Sequence, residues 1–309
     1  MAVEAPASAN GVVRPARPFR MRIGLATPVL LGPPLVWLLV FFLVPIGLVG
    51  AYSVDALHGP AIFAQAHHVT LAAWRDFFRS GVYLGLFWKS VKMSLIVSGI
   101  VVFLAYPVAY YLAASGTKRK YVLLLILIAP FLTSYLLRVL AWKVILGDRG
   151  VLNSFLFWTG LRSQDHPLSQ LLYSRFAVIL VLAYIWIPFV ALPIFVSLEN
   201  LDVRLLEAAG DLGATRRQAF VRVTLPLSLP GVLAGFLFVF IPTLGEFVTP
   251  SLVGGTSGYM YGNQISDLFS TGFPDWQTGS VLALFLLFVV AVLTSVFARS
   301  AQVRAVTVS

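Results

Sequence analysis

Between Ile23 and Val54 the chain carries no charged side chain, and five later stretches come close to that standard. Runs of this length constrain the fold more than any other feature. A helix needs roughly 20 apolar residues to cross about 30 Å of hydrocarbon, and water offers such runs no stable surface position. The spans read as Leu30–Val54, Met93–Ala114, Tyr121–Leu137, Phe176–Leu198, Gly231–Pro250 and Thr278–Ala298. Arg138 and Lys143 interrupt the apolar pattern just past the third.

Charged residues form 11% of the 309 and apolar residues 59%, where a soluble domain carries roughly a quarter charged. The expected fold class is therefore an all-α membrane protein with six transmembrane helices. Its parts are a basic N-terminal tail over 1–29, a membrane domain over 30–298 with a polar loop at 199–230, and a C-terminal tail over 299–309. The first residues suit a retained cytoplasmic tail better than a cleaved signal. A net charge of +10 does not point to nucleic acid, because the basic residues cluster at span ends, where they meet headgroups and set orientation. Absence of cysteine excludes disulfides and thiol chemistry.

Orientation follows from the short loops. Arginines precede span one, Lys118-Arg119-Lys120 separates spans two and three, Arg216, Arg217 and Arg222 separate spans four and five, and Arg299 follows span six. The segment Ser251 to Trp276 has neither lysine nor arginine. The positive-inside rule places the basic loops and both termini in the cytoplasm. Pro107, Pro130, Pro188, Pro193 and Pro242 fall inside spans, and each is read either as a kink in ordinary packing or as a break beside a solute path.

The polar loop holds the most specific signal. Leu201, Leu205, Ala208 and Leu212 recur at helical spacing, Arg204, Glu207 and Asp211 share a neighbouring face, and Gly213 suits a left-handed turn. A second helix over 214–223, closed by Leu225-Pro226, completes the expectation. An amphipathic helix resting on the bilayer has no need of small residues at Ala208, Ala209, Gly210 and Gly213.

Glu207-Ala208-Ala209, three residues, Gly213, nine residues, Val223, one residue, Leu225-Pro226 resembles the EAA motif of ABC importer permeases; the family usually has isoleucine where Val223 stands. The resemblance implies a type I importer bundle whose loop docks on a cytoplasmic ABC ATPase dimer through Glu207, Ala208, Ala209, Gly210, Asp211, Gly213, Leu225 and Pro226. It further implies a second permease subunit, a solute-binding protein outside the membrane, and a bacterial inner-membrane location. No GxxxxGK[ST] occurs in the chain, so this polypeptide lacks a phosphate cradle. ATP and magnesium are expected on the partner ATPase, with no cofactor on this chain and no catalytic or metal-binding residue.

Arg138-x-x-Ala141-Trp142, the run Ile241 to Pro250 and Leu252-Val253-Gly254-Gly255 resemble spermidine/putrescine permeases of the B type, which pair with a C-type subunit. Permeases for opines, aminophosphonates and other small solutes share much of this pattern. Glu246 is either a carboxylate facing a cationic solute or a structural acid. Tyr135, Trp142, Tyr184 and Trp186 are either cation-binding aromatics or an interfacial belt. An ion-coupled carrier or a membrane enzyme finds less support, since no internal repeat and no polar catalytic cluster is visible.

Overall fold

A computed structural model describes residues 26–58, 65–66, 68–115, 117–161, 168, 171–270 and 274–307. The chain divides into two compact units, Met1–Leu48 and Val49–Ser309. The first holds most of helix α1 (Ala26–Ser53), which contains Pro33, Pro34 and Pro45. The arginines before span one lie outside the described residues.

In the second unit a two-residue antiparallel ladder, β1 (Leu57–His58) with β2 (Gln65–Ala66), precedes α2 (Ala72–Arg79) and α3 (Val82–Ala114). Then come α4 (Thr117–Ile128), α5 (Tyr135–Leu146), α6 (Val151–Trp158) and α7 (Arg175–Glu199). The polar loop forms α8 (Val203–Asp211) and α9 (Arg216–Ala219), followed by α10 (Leu225–Leu244), α11 (Tyr261–Ser270) and α12 (Trp276–Thr307). Among the described residues five helices are long and apolar enough to cross a membrane, or six if one bent pair counts as a span.

The core is α7 with α3 and α10 against it. In its most apolar window α7 is 56% buried, against 11% for the sixth span, so α7 is the axis and α12 the rim. On α3 the buried residues Met93, Val97, Val101, Ala105 and Ala109 recur every fourth position, one stripe of a helix. Leu95, Ile96 and Phe103 on its other side are exposed, as a lipid- or subunit-facing surface requires. Gly231 and Gly235 let α10 approach the α7 backbone, and a Cβ at Gly231 would lie 2.5 Å from the Pro193 carbonyl oxygen. Small residues of this kind set helix contacts where lipid removes the hydrophobic drive. Tyr106 and Ser228 hydroxyls, 2.9 Å apart, join α3 to α10. A second cluster packs Phe77, Phe87, Tyr261, Val281 and Leu282 from α2, α3, α11 and α12.

Four spans differ from the expected ones. The second begins at Val82 rather than Met93. The third span is not continuous: α4 stops at Ile128, a 3₁₀ turn covers Ala129–Leu132, and the path bends by 85° into α5 and α6. Pro130 lacks the N–H that a straight helix would use, and Thr133 and Ser134 are extended after the turn. The fifth span begins earlier than Gly231 and ends before Pro250, since one helical path runs Arg216–Leu244. Leu225-Pro226 therefore does not close the second helix of the polar loop. The turn Phe220–Thr224 widens to π geometry, which absorbs the missing proline donor without breaking the rod. Finally, α12 continues to Thr307, so the expected C-terminal tail is helical over its first residues.

Candidate functional site

Two regions carry the residues singled out above. The first is the polar loop. Asp202 caps α8, its carboxylate accepting from the Arg204 amide at 3.0 Å, which satisfies one of the free donors at a helix start. Gly213 follows α8 at φ +80°, the left-handed conformation that glycine adopts without strain. Thr215 and Gln218 then form a capping box, with the Thr215 amide donating to Gln218 Oε1 at 2.8 Å. The first helix and the glycine turn stand as the spacing predicts, whereas the second helix starts at Arg216 and runs on past Leu225-Pro226.

No residue of α8 is buried. Glu207, Ala208, Gly210 and Asp211 are exposed and Ala209 half-buried. Leu212 is 89% exposed, although its spacing suggested a shared covered face with Leu201. A polar helix with bare apolar tips and small residues gains nothing from its own bundle. Behind it lies a cleft of 430 Å³ lined by Tyr110, Lys120, Glu199, Leu206 and Thr224 among others. Lys120 and Glu199 pair across that cleft, tying the start of α4 to the end of α7, from which the loop departs.

The second region follows α10. Glu246 lies beyond the helix end at Leu244, not along a fifth span. Its Oε1 accepts from the amides of Val248 and Thr249 at 2.9 and 3.1 Å, so the carboxylate caps the turn that leads into Pro250–Gly254. These bonds of the acid are local, to amides two and three residues along, and use one of its oxygens. Its backbone is clamped from α11: a Cβ at Gly262 would come within 2.4 Å of the Gly245 carbonyl oxygen, so only glycine fits. The buried Asn263 side chain donates to the Phe247 carbonyl at 2.9 Å and to Ser251 Oγ at 2.7 Å, and accepts from the Met260 amide at 3.0 Å.

Asn263→Leu should therefore cost about 3 kcal/mol, since each buried group left unpaired costs roughly 1–3 kcal/mol. Thermal unfolding of the detergent-purified complex measures it, and an unchanged midpoint would contradict the clamp.

Of the five pathway candidates, Tyr135 is linked to Glu246 through Thr249. The hydroxyls of Tyr135 and Thr249 are 2.5 Å apart, and the Thr249 amide is one of those capped by Glu246. Trp142 and Tyr184 pack edge to face at 5.5 Å, a separate aromatic pair. Trp186 packs on Phe189 at 5.2 Å and Phe189 on Phe131 at 4.9 Å. Sequence reasoning missed Thr249, Phe131 and the burial of Arg138, which is 8% exposed. The signal for the last was available: Arg138 falls three residues after Tyr135, on the same face of a helix.

The two acids of the loop without basic residues both have structural partners. Asp267 accepts from the Tyr259 hydroxyl at 2.7 Å, and Asp275 caps α12 through the Thr278 amide at 2.9 Å. Burial first, and the Asp267 carboxylate second, push the Tyr259 hydroxyl above the usual tyrosine range, so it remains a donor.

This architecture has relatives. The family described as binding-protein-dependent transport system inner membrane component matches residues 8–308. The chain belongs to that family. The permease is 36% identical over 264 residues to the spermidine/putrescine transport system permease protein PotB of Haemophilus influenzae, covering 85% of this chain and 90% of that protein. Its identity to PotB of Escherichia coli is 37% over 221 residues, covering 72% and 79%. Among solved structures, the permease fold resembles a chain of a bacterial alginate ABC transporter in complex with an alginate pentasaccharide-bound periplasmic protein. The TM-score is 0.62 at 19% identity, covering 85% of this chain and 89% of that one. The chain is a multi-pass membrane permease, as its apolar spans required.

Proposed function

We propose that this permease subunit imports a small amine-bearing solute, putrescine or spermidine, by alternating access driven by a separate cytoplasmic ATPase dimer. The solute arrives on an extracytoplasmic binding protein, and a second permease of the C type completes the path in the bacterial cytoplasmic membrane. Both termini and the polar loop lie in the cytoplasm, in keeping with the basic loops. The carrying observation is α8: an ordered helix with no buried residue, joined through Gly213 and the π turn to a long apolar helical rod. Motion of a docked partner reaches the bundle through such a rod. ATP can bias the access equilibrium only if docking energy differs between the two states. ATP and magnesium belong on the ATPase, because this chain carries no phosphate-binding loop.

Glu246, Tyr135, Trp142, Tyr184 and Trp186 are the proposed solute-path residues. Glu207, Ala208, Ala209, Gly210, Asp211 and Gly213 are the proposed ATPase contacts, with Leu225 and Pro226 at the root of the rod. The polyamine assignment is supported by the two PotB relatives and by the Glu246–Tyr135 neighbourhood, where a carboxylate and a ring flank one turn. Calorimetry on the cognate binding protein checks it: saturable heat is expected with putrescine or spermidine. Binding of an opine or aminophosphonate, with no heat from any polyamine, would replace the substrate and leave the permease role intact.

A further inference from the structure

Arg138 is 8% exposed, and neither its Nε nor its Nη1 has a hydrogen-bond partner. Its guanidinium carbon lies 6.0 Å from the ring centres of both Phe131 and Tyr135. Ring faces hold a cation, but a guanidinium carries five N–H donors and no acceptor. A buried cation left this way needs an anionic partner in some state of the protein.

The same turn supplies one. Tyr135 precedes Arg138 by three residues on α5, and its hydroxyl meets Thr249 within the turn that Glu246 caps. Arg138 and Glu246 both act electrostatically on that hydroxyl, yet among the described residues they form no ion pair. Glu246 uses Oε1 for both amide bonds, so the cap does not require its other oxygen. The linkage that carries α5 has a built-in joint: the 3₁₀ turn at Pro130, then extended Thr133 and Ser134, then the 85° bend.

We propose that Arg138 forms an ion pair with Glu246 in the access state opposite to the one seen here. The guanidinium there takes the place of a solute ammonium on the carboxylate and so expels it. The guanidinium and a solute ammonium compete for the same carboxylate charge, so pairing with Arg138 weakens solute binding. In the structure described here Arg138 lies beside the rings of Phe131 and Tyr135, and among the described residues no cation pairs with the Glu246 carboxylate, whose neighbour is the Tyr135 hydroxyl. This inference rests on Glu246 belonging to the solute path.

The test uses the complete transporter: both permeases, the ATPase and the binding protein. Melting midpoints of Arg138→Gln, Glu246→Gln and the double variant are compared nucleotide-free and vanadate-trapped. Coupling between the two positions is expected in only one of these states, where the double variant melts no lower than the worse single variant. In the other state the two shifts add, as for independent sites. Arg138→Lys is expected to keep part of the coupling, and it replaces Arg138→Gln in the cycle if that variant fails to assemble. Additive shifts in both states, or the same coupling in both, overturn the proposal.

In proteoliposomes, Arg138→Gln is expected to slow putrescine uptake about tenfold, within the usual range of coupling effects, while loaded binding protein still stimulates ATP hydrolysis. Uptake at the native rate also overturns it. Melting requires no solute, so state-dependent coupling in a complex that ignores polyamines sinks the substrate assignment and not the pair. Failure of the ATPase to associate would be seen before any midpoint is compared, and it would count against the coupling loop.

Discussion

Glu207→Arg is expected to cut solute-stimulated ATP hydrolysis and uptake on the order of 100-fold, the upper range for coupling between sites. Glu207 is exposed on α8, none of whose residues is buried, so the substitution has no folded contact of its own chain to break. Arg204 lies on the same face, and Arg216 and Arg217 start the next helix. A positive charge at 207 would remove the acid with which the proposed docking loop meets the ATPase and put the opposite charge in its place. Such juxtapositions cost several kcal/mol at interfaces. Gly210→Leu separates docking from folding, because a Cβ at Gly210 meets nothing within 4 Å in this chain. The variant should insert normally and still lose the ATPase in a pull-down. Native uptake by Glu207→Arg with the ATPase bound would remove the coupling role from this loop.

A larger effect on assembly is expected deep in the bundle. Gly231→Ala should destabilise the permease by about 3 kcal/mol, the high end of overpacking costs. The new Cβ would stand 2.5 Å from both the Pro193 carbonyl oxygen and Ser197 Cβ. Neither is the loose end of a flexible chain, so α7 and α10 must separate to admit it. Gly235, one turn along, already sits 3.2 Å from the Val190 Cα by the same measure, and separation would undo that contact too. The purified complex should melt well below the native one, with the lost yield recovered by no change at the solute site. A midpoint within a degree of native would show that these helices are not held by their glycine face.

The apolar runs made a helical membrane protein unavoidable, since they are too long and too uncharged for water. The polar loop was equally legible. Gly213 must turn left-handed for reasons local to its own backbone, and Thr215 and Gln218 cap a helix within four residues of each other. These features depend on neighbours close along the chain, which is the information a sequence displays. Pro130 and Pro226 marked places of missing donors, but the same residue type led to opposite outcomes. At Pro130 the chain broke and bent; at Pro226 a widened turn let the helix run on. What surrounds each proline decided between them.

Glu246 shows the same limit from the other side. Its spacing from Gly231 suggested a place on a membrane helix, whereas α10 ends at Leu244 and the acid caps the following turn. That placement depends on Gly262 and Asn263 clamping the backbone from α11. The link between Tyr135 and Thr249 spans 114 positions, and no local pattern announces it. Hydropathy and turn chemistry are properties of a segment, so the sequence alone settled the membrane class and the helix-and-glycine-turn form of the polar loop. Which charges are buried, which are paired and where a span ends are properties of the neighbours that folding brings together, and only the tertiary structure decided them.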